Sequence, residues 1–314
     1  MITGIEIQNF KGIGERQSID FAPLTLLFGA NSAGKSTVVQ AIHYFGQALR
    51  TGNGDVDEIQ STDRLLRLGG FDNLVHRKNE EPGIAIRLSV RAEKPDQFAV
   101  SLDNCAPLFK ALDLEQLPKL FPQVNSVGIE ITTKKLFEGY NNRVDHPLVE
   151  RLVLFIDGEQ FLETEATTFM YDEQVMGRFG NIANVNFDHS LLRANGVGEQ
   201  MRKWASVVEF SANPMALEDD IRELPVEIEN CLGAIPTRNS LSVGLFYVDL
   251  TDQEGMKDAG YTRFKSMLLG LLLDSIEYIQ RMVESMAHVG PLREIPSRSM
   301  VSGQLHVNSL KNKP

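Results

Sequence analysis

Residues 29 to 37 read Gly29-Ala30-Asn31-Ser32-Ala33-Gly34-Lys35-Ser36-Thr37, a glycine pair followed at once by a lysine and two hydroxyls. Glycines let a backbone curl until successive N–H groups point inward, and a helix starting there adds its positive end, which makes an anion cradle. The stretch fits GxxxxGK[ST] without a mismatch, and the chemistry of that pattern is to hold the phosphates of a nucleoside triphosphate, Mg-ATP above all. Lys35 is spaced to reach the β- and γ-phosphates. The Ser36 hydroxyl is the expected ligand for Mg²⁺, which prefers oxygen partners and keeps several of its waters.

A cradle of this kind works only between a strand and a helix, and the flanking sequence supplies both patterns. Leu24, Thr25, Leu26, Leu27 and Phe28 form a continuous apolar run, which predicts a strand buried on both faces and ending at Gly29. From Ser36 the period changes: Val38, Ile42, Phe45 and Leu49 recur at helical spacing, with Gln40, His43, Gln47 and Arg50 between them. His43 therefore reads as a solvated side chain, not a catalytic one. Thr51-Gly52-Asn53-Gly54 breaks the helix. The alternative, a chance glycine-rich turn, is disfavoured by this strand-loop-helix context.

Around that unit the chain changes character. Residues 2 to 7 alternate as a strand, with Ile5 and Ile7 on one face. Strict alternation returns at Ile84, Ile86, Leu88 and Val90, at Phe98, Val100 and Leu102, and at Val127, Ile129 and Ile131, which predicts an antiparallel meander. Leu152, Leu154 and Ile156 lead into Asp157-Gly158, a favoured type I′ hairpin pair, with Phe161 on the returning strand. An acidic stretch around Glu218, Asp219, Asp220 and Glu223 reads as a solvated face. A second amphipathic helix is expected over roughly 263–286, where Leu268, Leu272, Ile276, Ile279, Val283 and Met286 mark an apolar side.

The expected organisation is an α/β fold: a P-loop lobe over 1–80, an antiparallel β-subdomain over 81–165, an insertion over 166–260, a helix and Gly290-Pro291-Leu292-Arg293 segment over 261–298, which the resemblance described below returns to the ATPase core, and a polar tail over 299–314. With 314 residues the chain is long enough for two domains or for one domain with a large insertion. The net charge of −11 argues against a uniformly basic nucleic-acid surface, although a local basic groove remains compatible with it. Cys105 and Cys231, far apart and without CxxC spacing, support neither a disulfide framework nor a zinc site. The N-terminus has no basic start followed by an apolar stretch, and no apolar run approaches the roughly 18 residues of a membrane span. A cytoplasmic, soluble protein without membrane contact is expected.

The opening stretch, Ile5-Glu6-Ile7-Gln8-Asn9-Phe10-Lys11-Gly12, together with Phe21 to Thr37, resembles the start of the RecF/SMC-like ABC-type ATPases, and especially the bacterial AAA-family proteins related to the OLD ATPases. Leu68 to His76 and Val289 to Pro296 are similar to further segments of those proteins. The resemblance implies ATP-driven head dimerisation, with each nucleotide held between one subunit's phosphate loop and a signature motif of the other. It implies roles in DNA repair, chromosome maintenance or defence against phage, and it places the basic residue after Asn-Phe, here Lys11, near the nucleotide. The other reading of Lys11 is an exposed loop lysine.

Hydrolysis needs more than a cradle, because a carboxylate must hold Mg²⁺ through water and another group must orient the attacking water. Leu152 to Asp157 has the look of an acidic strand, but Asp157-Gly158 reads as a hairpin turn. Leu245-Phe246-Tyr247-Val248-Asp249 is the remaining candidate, with Asp249 as a weak catalytic one because no glutamate adjoins it. The resemblance would put the signature and acidic strand after Arg293, where Ser302-Gly303-Gln304 is only a fragment. The sequence is therefore expected to be the N-terminal part of a larger ATPase: a truncated product, an excised domain or half of a split protein. Its complement would be a homodimer through ATP-sandwiched heads or a partner chain supplying the second lobe. Two competing readings are a non-hydrolysing, nucleotide-dependent interaction module and a DNA-binding component with a secondary ATP site.

Overall fold

The computed structural model of the protein describes residues 1–30, 34–55, 70–79, 83–91, 124–138, 142–171, 174–193, 198–199, 226–228, 233–237 and 272–286. The strands are β1 (Ile2–Gln8), β2 (Gln17–Asp20), β3 (Ile84–Arg91), β4 (Ser126–Glu138), β5 (Asn142–Ile156), β6 (Glu159–Tyr171), β7 (Gln174–Val185) and β8 (Val226–Ile228). The helices are α1 (Lys35–Thr51), the single turn α2 (Ser190–Arg193) and α3, described over 272–284. The chain divides into two units, Met1–Glu284 and Ser285–Pro314, and all of these elements belong to the first.

One sheet runs through the unit in the order β2-β1-β3-β4-β5-β6-β7-β8, and every pairing in it is antiparallel. Its register follows from the period-2 pattern. Ile5 pairs with Leu88, Leu88 with Ile129, Ile129 with Leu154 and Leu154 with Leu162, so one face carries a continuous apolar row. All five are buried. A slip of one residue in any strand would turn that row to the other side, so burial itself fixes the register. Asp157 and Gly158, at φ 49° and 88°, form the type I′ turn expected between β5 and β6.

Helix α1 covers this apolar row with Val38, Ala41, Ile42, Tyr44, Phe45, Ala48 and Leu49. It ends at Gly52, in the left-handed region at φ 69°, whose N–H returns to Ala48 O. Beyond it the chain is stitched to β5: Gly54 N–H donates to Pro147 O at 2.7 Å and Val149 N–H to Gly52 O at 2.9 Å. α3 packs on α1, and a Cβ at Gly46 would lie 2.6 Å from Val283 Cγ1, so glycine there sets how closely the two helices approach.

The opposite face of the sheet carries charge in register. Glu6 pairs with Arg87, and Arg87 with Glu130. Arg16, from the loop before β2, grips Glu130 with two bonds of 2.7 and 3.1 Å and reaches Glu6 at 2.9 Å. Arg151 joins Glu130 to Glu163. The Arg87 guanidinium lies 3.6 Å from the centre of the Phe155 ring, in space that Gly128 leaves open.

One expectation is corrected. The run Leu24 to Phe28 is not a buried strand: it is irregular and pairs with no strand among the described residues, and Leu24, Leu26 and Phe28 are 77, 63 and 86% exposed. An apolar run can be buried on both faces only between neighbours, and no strand pairing among the described residues includes it. The antiparallel β-subdomain is present, and its strands and those of residues 1–20 form one sheet that is antiparallel in every pairing among the described residues. The expected strand at Phe98 to Leu102, the first part of the 263–286 helix and the Gly290-Pro291 segment lie outside the described residues.

Candidate nucleotide-binding site

The site begins at the N-terminus of α1. Gly34 takes φ 87°, a left-handed conformation that suits glycine, and from there the helix starts at once with Lys35 and Ser36. Thr37 N–H and Val38 N–H both turn back to Gly34 O, at 2.9 and 3.4 Å. Lys35 N–H and Ser36 N–H find no acceptor among the described residues. No side chain caps the helix, and its first turn holds no acid. The positive end of a 17-residue helix thus has no carboxylate in its own first turn, which is the condition an incoming phosphate requires.

The Lys35 ammonium folds back over its own loop, donating to Gly29 O at 2.7 Å and Ala30 O at 2.6 Å. Both acceptors are neutral carbonyls, so the charge is hydrogen-bonded but not neutralised. The Ser36 hydroxyl is exposed to solvent. Asn31, Ser32 and Ala33 lie outside the described residues. The donor set fits Mg-ATP: bare helix N–H groups and one mobile ammonium for phosphate oxygens, and one free hydroxyl for a hard cation.

Lys11 is drawn to this helix. Its backbone, at φ 52°, turns inside a tight loop closed by Phe10 N–H to Ile13 O and Ile13 N–H to Phe10 O. Its ammonium donates to Gln40 Oε1 at 2.8 Å, which ties the loop between β1 and β2 to the second turn of α1. His76 Nδ1 must donate to Lys11 O, 2.7 Å away, because a carbonyl only accepts. His76 N–H donates to Asn9 O, and the Asn9 side chain reaches Asn79 O and Gly83 O at 2.8 and 2.9 Å. Gln40 and His76 are the positioning residues that sequence reasoning missed. Gln40 was visible only as a polar position on α1, and His76 only as part of a familiar-looking segment.

The remaining candidates fall elsewhere. Asp157 is a turn residue, its Oδ1 accepting from Asn125 N–H and Ser126 N–H at 2.9 and 2.8 Å. Asp249 lies outside the described residues. Among the described residues no three His, Cys, Asp or Glu side chains gather as metal ligands, and no helix is long and apolar enough to cross a membrane. An open cleft of about 400 Å³ lies between the Gly12–Gln17 loop and His76-Arg77, and no residue of the phosphate loop lines it.

No curated protein matches the chain. A solved structure from work on ATP-driven dimerization and DNA stimulated activation of SMC ATPases is similar over 51% of this chain and 70% of that one. Its identity is 16% and its TM-score 0.25, too low to carry an argument. A family model described as AAA ATPase domain matches residues 1–165, which are 165 of the 314 residues and include the phosphate loop, α1, Lys11 and His76; the chain belongs to that family of ATPase domains.

Proposed function

We propose that this chain is the ATP-binding domain of an ABC/SMC-like ATPase and is incomplete for hydrolysis on its own. The observation that carries the reading is the uncapped, acid-free N-terminus of α1 directly behind a GxxxxGK[ST] loop. Gly29 to Thr37 hold the phosphates, Ser36 contributes a ligand to Mg²⁺, and Lys11, positioned by Gln40 and His76, is the second cation of the site. Bound Mg²⁺ would draw the phosphate oxygens together and offset their charge.

Turnover needs a carboxylate and a water-orienting group. A second ATPase head, in a homodimer sandwiching the nucleotide or in a partner chain, is where we assign both. The resemblance of residues 5–12 and 21–37 to RecF/SMC- and OLD-like ATPases supports a cytoplasmic role on DNA, in repair or in defence against phage.

Calorimetry with ATP in the presence and absence of Mg²⁺ tests the reading. Wild-type protein should bind more tightly with the metal, and Ser36→Ala should bind with the metal-dependent gain reduced. Identical affinities with and without Mg²⁺ in both proteins would remove Ser36 from the metal.

A further inference from the structure

The open cleft of about 400 Å³ between the Gly12–Gln17 loop and His76-Arg77 lies outside the phosphate loop, and every residue that lines it is described. Its two walls store strain. Of the five non-glycine residues at positive φ among the described residues, four stand in the segments that frame it: Asn9 at 56°, Lys11 at 52°, Arg77 at 51° and Lys78 at 57°. Left-handed backbone is costly for residues with a Cβ and persists only where surrounding contacts over-determine it. The contacts are in place. The buried Asn9 amide donates to Asn79 O at 2.8 Å, and His76 N–H donates to Asn9 O at 3.1 Å. A Cβ on Gly14 would lie 2.8 Å from the His76 ring, so glycine there lets the walls approach closely.

This rigid frame holds two opposite charges that nothing in it uses. Arg77 and Glu15 stand on different walls, both exposed, and neither side chain has a hydrogen bond or ion pair among the described residues. The N–H groups of Gly12 and Gly14 also find no acceptor among the described residues. A guanidinium beside bare N–H groups suits an oxyanion, because its planar fork can grip two oxygens at once. The carboxylate narrows the choice. Ionised, it can only accept, so it repels an anion unless that anion brings a proton to share.

We propose that this cleft is a site for free inorganic phosphate in its hydrogen-phosphate form, with the Arg77 guanidinium on two oxygens and the Glu15 carboxylate accepting a hydrogen bond from the P–OH. Phosphate keeps such a proton near neutral pH. Sulfate and the diester linkages of a nucleic acid keep none, so Glu15 discriminates against both. His76, whose Nδ1–H is committed to Lys11 O, fixes the wall that carries Arg77. The site goes beyond the proposed Mg-ATP binding and stands without it.

The test is a titration of inorganic phosphate into the full chain carrying Lys35→Ala, which weakens the phosphate loop as a competing site, followed through the backbone amide shifts of Gly12, Gly14 and Arg77. The three should move together and saturate with one dissociation constant. Sulfate should bind roughly tenfold more weakly than phosphate, and Arg77→Gln should weaken phosphate by roughly the same factor. Glu15→Gln should bring sulfate to within about threefold of phosphate, because an amide N–H can donate to an oxygen that bears no proton.

No saturable shift at these amides, an unchanged phosphate affinity in Arg77→Gln, or equal affinities for sulfate and phosphate with Glu15 intact would overturn the proposal. A short DNA strand that moves the same amides and binds more tightly than phosphate would overturn it in favour of a nucleic-acid backbone.

Discussion

The Lys11 ammonium donates to Gln40 Oε1 at 2.8 Å, joining a loop near the start of the sheet to the helix that follows the phosphate loop. Gln40→Ala would remove this tie between Lys11 and α1 without opening the core, since Gln40 is only partly buried. Mg-ATP affinity should fall roughly three- to tenfold, the size of one ordinary net hydrogen bond. The double variant Lys11→Ala/Gln40→Ala should be scarcely weaker than Lys11→Ala alone, which calorimetry on the four proteins would read as coupling. Additive losses would show that the two side chains act separately.

Tyr44 is fully buried, and its hydroxyl bridges two elements: it donates to Gly54 O at 3.0 Å and accepts from Thr133 Oγ1 at 2.7 Å. Burial pushes its ionisation well above the usual phenol range. Tyr44→Phe leaves both partners buried without this bond, and thermal unfolding should report a loss of about 1 to 3 kcal/mol. An unchanged melting temperature would mean that water replaces the hydroxyl.

Glu130 is buried beneath Arg16 and Arg151, whose guanidinium groups are held above their ordinary pKa first of all by hydrogen bonds to Glu130 and to Glu163, respectively. Glu130→Ala strands part of this charge on the sheet face. Arg16 is 41% exposed and can rehydrate, so a loss of about 2 kcal/mol is expected in urea unfolding, not the larger penalty of a fully buried pair. Stability within about 0.5 kcal/mol of wild type would show that the network is only surface decoration.

Glu159 accepts the backbone N–H of Ser190 at 2.9 Å, and hydrogen bonding to Ser190 holds its carboxyl below the ordinary value, with help from His189. A carboxylate depressed in the folded state stabilises fully above its unfolded pKa and loses that contribution as pH falls through the folded one. Wild type should therefore lose more stability than Glu159→Gln on acidification below about pH 4.5. The difference should be small, because the side chain is largely solvated. Parallel acid limbs in the two proteins would contradict the assignment.

Local patterns were the legible part of this chain. The spacing of Val38, Ile42, Phe45 and Leu49 fixes α1, the alternation from Ile84 to Val90 fixes β3, and Asp157-Gly158 fixes a turn, because each depends on residues close in sequence. The run Leu24 to Phe28 was misread for the complementary reason: its composition says that both faces favour burial but not whether a neighbour exists to bury them. The bond from Arg16 to Glu130 spans 114 positions, and no periodicity announces it. The far strands β6 and β7 carry threonine, glutamate and glycine in place of clean alternation, so their register emerges only from pairing.

Titration calorimetry of Mg-ATP into wild type and Lys35→Ala, side by side, addresses the phosphate loop itself. Lys35 is its one mobile cation among backbone donors, and its present acceptors are carbonyls that an incoming phosphate would replace. Wild type should bind one equivalent, and Lys35→Ala should bind at least tenfold more weakly while melting within a few degrees of wild type. Equal affinity in the two folded proteins would contradict the placement of the nucleotide at Gly29 to Thr37.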